Sequence, residues 1–270
     1  MADFEEKSEA FLAWFKHQQG ATFHPKIQLV DLRHKHEGRG IIATSDIAAE
    51  TELFSIPRKN VICVENSELS KRLPNILTTV DCGLGGVKET DGKDEEEDME
   101  MPDPWYDLIL VMIYEYLRGH SSIWKPYFDV LPDQFDTLMF WTPEELDELQ
   151  ASGVRAHIGK DTADAMFQTK VLPVVRKNRE VFYLAGAAQL SDEELVALAH
   201  RMGSIIMAYA FDLDKEDDDE DEDEDGEDGW VQDRDATKAL GMVPMADMLN
   251  ADAEFNVSEQ PTSSHISDHY

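Results

Sequence analysis

Apolar and polar positions alternate with different periods along the chain, and the changes of period divide it. Within residues 4–18, Phe4, Phe11, Leu12 and Phe15 recur at helical spacing with charges on the other side. That pattern predicts an amphipathic helix packed on the sheet that follows. Residues 26–58 carry short apolar pairs and triplets (IQLVDL, GIIAT, ELFSIP) separated by Gly, Asp and Glu, the texture of short strands joined by turns. From Trp105 the period becomes helical: Leu108, Ile109, Met112, Ile113, Tyr116 and Leu117 form an apolar stripe wide enough to predict a largely buried helix. Thr142 ahead of Pro143, Glu144 and Glu145 reads as an N-cap, a first-turn proline and acids at the positive end of a helix dipole. Further helices are expected over 161–183 and 192–211, the second opened by the capping-box spacing of Ser191 to Glu194.

Two stretches break this order. Residues 83–103 and 214–235 combine glycines with dense Asp and Glu, and neither has the apolar content to order itself, so both are expected as solvated loops. They carry much of the formal charge of −33, from 57 acidic against 24 basic residues. Such a charge repels nucleic-acid phosphates and acidic membranes and points to a basic partner. The 42% of hydrophobic residues are enough for a sizeable core. Cys63 and Cys82 have no neighbours at metal-cage or redox-pair spacing, so no bound metal is expected and a reducing compartment fits.

Three segments hold candidate chemistry. Glu37-Gly38-Arg39-Gly40, ahead of IIAT, allows close backbone approach to a ligand just before a strand, or is an ordinary hairpin turn. In MVPMADMLN, Asp247 and Asn250 are three apart among apolar residues, so they either cap local backbone or meet a polar ligand. The aromatics Trp124, Tyr127, Phe128, Phe140 and Trp141 build an aromatic pocket or fill a helical core.

FLAWF, GRGIIAT, ELFSIPR, SIWKPYFDVLP with FWTPEEL, SIIMAYAFD and VPMADMLN, in this order from Phe11 to Asn256, resemble SET-domain protein-lysine methyltransferases of the Rubisco methyltransferase and SETD6 type, in particular the fungal ribosomal lysine methyltransferase 4 branch. The resemblance implies an α+β fold: a β-rich SET core with an inserted α-helical subdomain. It divides the chain into an N-terminal helix (1–20), the first part of the core (21–82), an acidic loop (83–104), the helical insert (105–213), a second acidic loop (214–236), a core segment with the cofactor motif (237–257) and a polar tail (258–270). It also implies S-adenosylmethionine as cofactor, held by Gly38, Arg39 and Gly40, largely through backbone groups, and by Asp247 and Asn250. The substrate implied is a lysine-bearing basic protein, ribosomal or histone-like, met in the nucleus or cytoplasm.

In the family a tyrosine from a later Gly-rich segment lines the lysine channel, and a helical C-terminal domain follows. Here the sequence after Asn256 turns polar, so a chain shortened at its C-terminal end is expected, and no catalytic residue is assigned. Ala251 stands where most relatives have His, at the expected loss of one hydrogen bond worth about 0.5 to 1.5 kcal/mol. The competing reading is a non-catalytic module whose acidic runs capture basic ribosomal or histone segments.

Overall fold

The computed structural model describes residues 2–35, 37–77, 104–150, 152–213 and 239–250. Both acidic runs, the polar tail and Ala251 lie outside the described residues. The chain opens with α1 (Ala2–Lys16), whose Phe11 and Phe15 are fully buried. Phe15 meets Phe23 edge-on at 6.4 Å, and Phe11 lies 5.8 Å from the ring of Tyr127. The helix therefore bridges the strands that follow it and the helical block.

Among the described residues the strands form three antiparallel pairs: β1 (Thr22–Phe23) with β4 (Phe54–Ser55), β2 (Ile27–Asp31) with β3 (Arg39–Ala43), and β5 (Ala210–Leu213) with β6 (Ala239–Met242). β2 and β3 make a hairpin with Ile27 opposite Ala43 and Asp31 opposite Arg39. β6 also bridges Ile62 through Met242, so this late strand returns to chain laid down much earlier.

Helices occupy the middle: α2 (Glu68–Arg72), α3 (Pro104–Leu117), α4 (Lys125–Phe128), α5 (Pro143–Asp147), α6 (Val154–His157), α7 (Lys160–Met166), α8 (Leu172–Lys177), α9 (Arg179–Phe182) and α10 (Asp192–Tyr209). In α3 every residue from Asp107 to Glu115 is buried, the position expected of a helix that is apolar all round. It packs against α10, where Gly203 faces Trp105 so closely that a Cβ would come within 2.9 Å of the indole. Both α5 and α10 begin with full capping boxes, on Thr142 with Glu145 and on Ser191 with Glu194.

Two expected helices differ from the structure. Residues 161–183 do not form one helix: α7 passes through a π-helical stretch (Phe167–Val171) into α8, and α9 follows beyond Asn178. Pro173 explains the first break, since it has no N–H for the carbonyl four residues back and its ring crowds that turn. The last predicted helix stops at Tyr209, where Ala210 turns extended (φ −77, ψ 150) and the chain pairs with β6.

Candidate functional site

The glycines of the first candidate segment serve two different needs. Gly38 has φ +71, with open space where a Cβ would stand, and its carbonyl accepts from the Leu32 N–H at 2.7 Å. Its requirement is conformational. Gly40 lies within β3, and there the need is room: a Cβ would sit 2.5 Å from Leu32 Cδ1 and 2.9 Å from Asn250 Nδ2. The same Asn250 amide donates to Glu37 Oε2 at 3.4 Å. The hairpin and the Asp247–Asn250 segment, 213 positions apart between Glu37 and Asn250, thus meet.

The second segment folds as a tight turn into a single 3-10 turn, Ala246–Met248. Met245 adopts φ 91, rare for a non-glycine residue, and its N–H donates to Asp247 Oδ1 at 3.2 Å. The other carboxylate oxygen, Oδ2, accepts from the Tyr127 hydroxyl of α4 at 2.8 Å. Asp247 therefore caps backbone and also reaches into the helical block. Burial pushes its pKa up to about 7, opposed by the Tyr127 hydroxyl and by the backbone N–H groups of Met245 and Asp247. Tyr127 is fully buried, and burial together with the neighbouring Asp247 charge raises its phenol well above the usual value.

Together these residues border a cavity of ≈ 430 Å³, lined by Glu37, Tyr209, Phe211, Asp247, Leu249 and Asn250, with alanines from α10, β5 and the turn. A larger cavity of ≈ 660 Å³ adjoins it at Ala208; Trp105, Leu138, Phe167, His200 and Met207 are among its walls. The larger space is mainly apolar. Carboxylate, amide and phenol converge on the smaller one, so recognition of a polar ligand belongs there.

Of the residues singled out from sequence, Asp247 and Asn250 line the smaller cavity, and Gly40 abuts Asn250. The Arg39 side chain goes elsewhere. Its Nε donates to Ser8 Oγ at 2.9 Å and its Nη1 to the Val130 carbonyl at 2.9 Å, with the guanidinium 3.8 Å from the Phe4 ring. It fastens α1 to the hairpin and the helical block. Trp124, Tyr127 and Phe128 are buried, whereas Phe140 is 36% exposed. Sequence reasoning did not assign Glu37, Tyr209 or Phe211 to the site, although Glu37 begins the glycine turn and the other two sit in AYAFD.

The fold, strand pairs from both ends of the described chain with helices between them, is that of a SET domain. The chain belongs to the SET-domain proteins of the Rubisco methyltransferase and SETD6 type. It is 30% identical over 255 residues to ribosomal lysine N-methyltransferase 4 of Saccharomyces cerevisiae, covering 93% of this chain and 47% of that protein. It is likewise 30% identical over 253 residues to N-lysine methyltransferase setd6 of Xenopus laevis, covering 91% and 47%. The SET domain of LSMT, solved with lysine and AdoHcy, superposes with a TM-score of 0.59 at 21% identity, over 93% of this chain and 44% of that one. The chain spans about half the length of the curated relatives it matches. No protein-family model matches it.

Proposed function

We propose that the chain supplies the cofactor-binding part of an S-adenosylmethionine-dependent protein-lysine N-methyltransferase. The observation that carries this reading is the junction of Gly40 with Asn250, which brings backbone and amide together at the edge of an acid-lined cavity. The residues fit the cofactor. The lack of a Cβ at Gly40 lets the Asn250 amide lie close to the β3 backbone, Tyr209, Phe211 and Leu249 offer apolar contact to a nucleoside, and Glu37 and Asp247 suit its cationic groups. Asn250 and the backbone of Gly38, Arg39 and Gly40 would hold it, with Asp247 setting the shape of the turn beneath. When bound, the cofactor supplies a methyl group already activated on a sulfonium.

What remains for the protein is positioning and desolvation. A lysine amine, with a pKa of about 10.4 in water, is protonated at neutral pH, and entry into a dry, apolar-walled site favours its neutral form. The net charge of −33 and the similarity to a yeast enzyme named for ribosomal lysines favour a basic ribosomal or nuclear substrate, met in the nucleus or cytoplasm.

The test is thermal unfolding of this chain with S-adenosylmethionine. The cofactor should raise Tm in proportion to the logarithm of its concentration, and Asn250→Ala should abolish the rise. An unchanged Tm at millimolar cofactor overturns the reading.

A further inference from the structure

We infer that Asp247 is the counter-charge by which this cavity distinguishes a sulfonium nucleoside from its neutral thioether counterpart. The inference rests on the cofactor reading above and adds to it a charge-based selectivity that the fold itself does not imply.

The argument begins with the cavity's ionisable groups. Among the described residues its lining contains two carboxylates, Glu37 and Asp247, the phenol of Tyr209 and no Lys, Arg or His. Glu37 is exposed and reaches the Asn250 amide. Asp247 is held differently. It is half-buried, with α4 supplying Tyr127 on one side, α10 supplying half-buried Tyr209 on another, and the Met245 turn beneath. Among the described residues no basic side chain forms an ion pair with it. Its partners are neutral donors, the Tyr127 hydroxyl on Oδ2, the Met245 N–H on Oδ1 and its own backbone N–H, and none of them carries a charge.

A carboxylate fixed in that way, bordering a cavity and lacking a cation of its own, is incompletely compensated. A positive ligand beside it completes the pair; a neutral ligand of the same shape does not. S-adenosylmethionine and S-adenosylhomocysteine differ by one methyl and one positive charge at sulfur, so the comparison cancels their shared amine, carboxylate and nucleoside. The charge of Asp247 is also conditional, because burial leaves its carboxyl titrating at about 7. Reciprocity requires that if ionised Asp247 favours the cation, the cation favours ionised Asp247. Sulfonium binding near neutrality should therefore release a proton, while thioether binding should not.

Isothermal titration of this chain with both ligands, at about pH 5.5 and about pH 8.5 on either side of the Asp247 transition, tests the inference. In the wild type the preference for S-adenosylmethionine should rise about tenfold from acid to alkaline pH. Near pH 7, buffers of different ionisation enthalpy should show proton release for that ligand alone. Asp247→Asn, which keeps an acceptor and the side-chain shape, should flatten the pH profile. Tyr127→Phe retains the carboxyl but loses a hydrogen bond that lowers its pKa, so it should move the rise to higher pH, and it keeps the inference testable if Asp247→Asn folds poorly. A wild-type preference independent of pH, or a rise that survives Asp247→Asn and disappears in Glu37→Gln, overturns the inference while the cofactor reading stands. Failure of both ligands to bind at either pH overturns the two together.

Discussion

Replacing Gly40 by alanine puts a methyl group where the structure has no room for one. The two obstructing atoms are of different kinds: Leu32 Cδ1 at 2.5 Å belongs to a buried apolar side chain, and Asn250 Nδ2 at 2.9 Å belongs to the candidate site. Overpacking of this order costs about 1 to 3 kcal/mol. The loss should appear as a lower urea midpoint at unchanged m-value. Leu32→Ala alone should cost about 2 to 5 kcal/mol as a large-to-small change in the core. In the double variant the methyl gains the space that Leu32 vacates, so the costs should sum to less than the two singles by about 1 kcal/mol or more. Ligand binding should behave differently. Leu32→Ala does nothing for the contact with Asn250, so S-adenosylmethionine affinity should stay as low in the double variant as in Gly40→Ala. Additive stabilities within about 0.5 kcal/mol would show that Leu32 is not the obstruction. Recovery of affinity together with stability would show that Gly40 acts on the site only through global packing.

Asp247, with a folded-state pKa of about 7 against about 3.9 unfolded, keeps its proton in the native state over a range where the unfolded chain has lost it, so its contribution to stability falls as pH rises from about 4 to 7 and then levels off. The full difference amounts to at most about 4 kcal/mol, read as the gap between wild type and Asp247→Asn in denaturant titrations at either end of that range, which removes the pH dependence shared by all other carboxylates. Arg39→Ala should cost about 2 to 3 kcal/mol by removing the bonds that tie β3 to Ser8 of α1 and to the Val130 carbonyl, measurable as lost hydrogen-exchange protection in α1, while affinity for the cofactor in the folded protein stays within about threefold of wild type. Glu115, buried on α3, accepts from Ser67 Oγ at 3.0 Å and Ser122 Oγ at 2.7 Å. Glu115→Gln should cost about 1 to 3 kcal/mol in chemical denaturation, since one acceptor becomes a donor facing a hydroxyl that already accepts a backbone N–H.

Elements whose cause is local were legible in the sequence. The periods of α1, α3 and α10, the caps at Thr142 and Ser191, and the β2–β3 hairpin each follow from residues within a few positions of one another. The break in 161–183 had a local cause as well, Pro173, but the apolar period runs through it and masks the proline. The site divides along the same line. Gly40 and Asn250 stood out as residue types, while the reason for Gly40, contact with a side chain 210 positions away, is visible only in three dimensions. Arg39 shows the opposite case. Lying between two glycines, it carries the same local signal as they do, and what decides its role is Ser8, Phe4 and Val130, none of them near it in sequence.

These contacts share a direction that bears on how the cavity is held. Tyr127 reaches Asp247 from the helical block, 120 positions earlier in the chain, and the Val130 carbonyl, three residues beyond Tyr127, receives Arg39 from the hairpin. One short stretch, α4 and the turn after it, is therefore bonded both to β3, the strand that the glycine turn opens, and to the acid beneath the Asn250 turn. The φ of 91 at Met245 makes such support necessary, because a non-glycine residue in that region costs about 1 to 3 kcal/mol and persists only where its surroundings over-determine it. Asp247 provides that restraint through the Met245 N–H, and Tyr127 in turn fixes Asp247. The helical insert is thus a structural part of the cavity, and a change at the Tyr127 hydroxyl, buried and outside the cavity lining, is felt at the turn that carries Asn250.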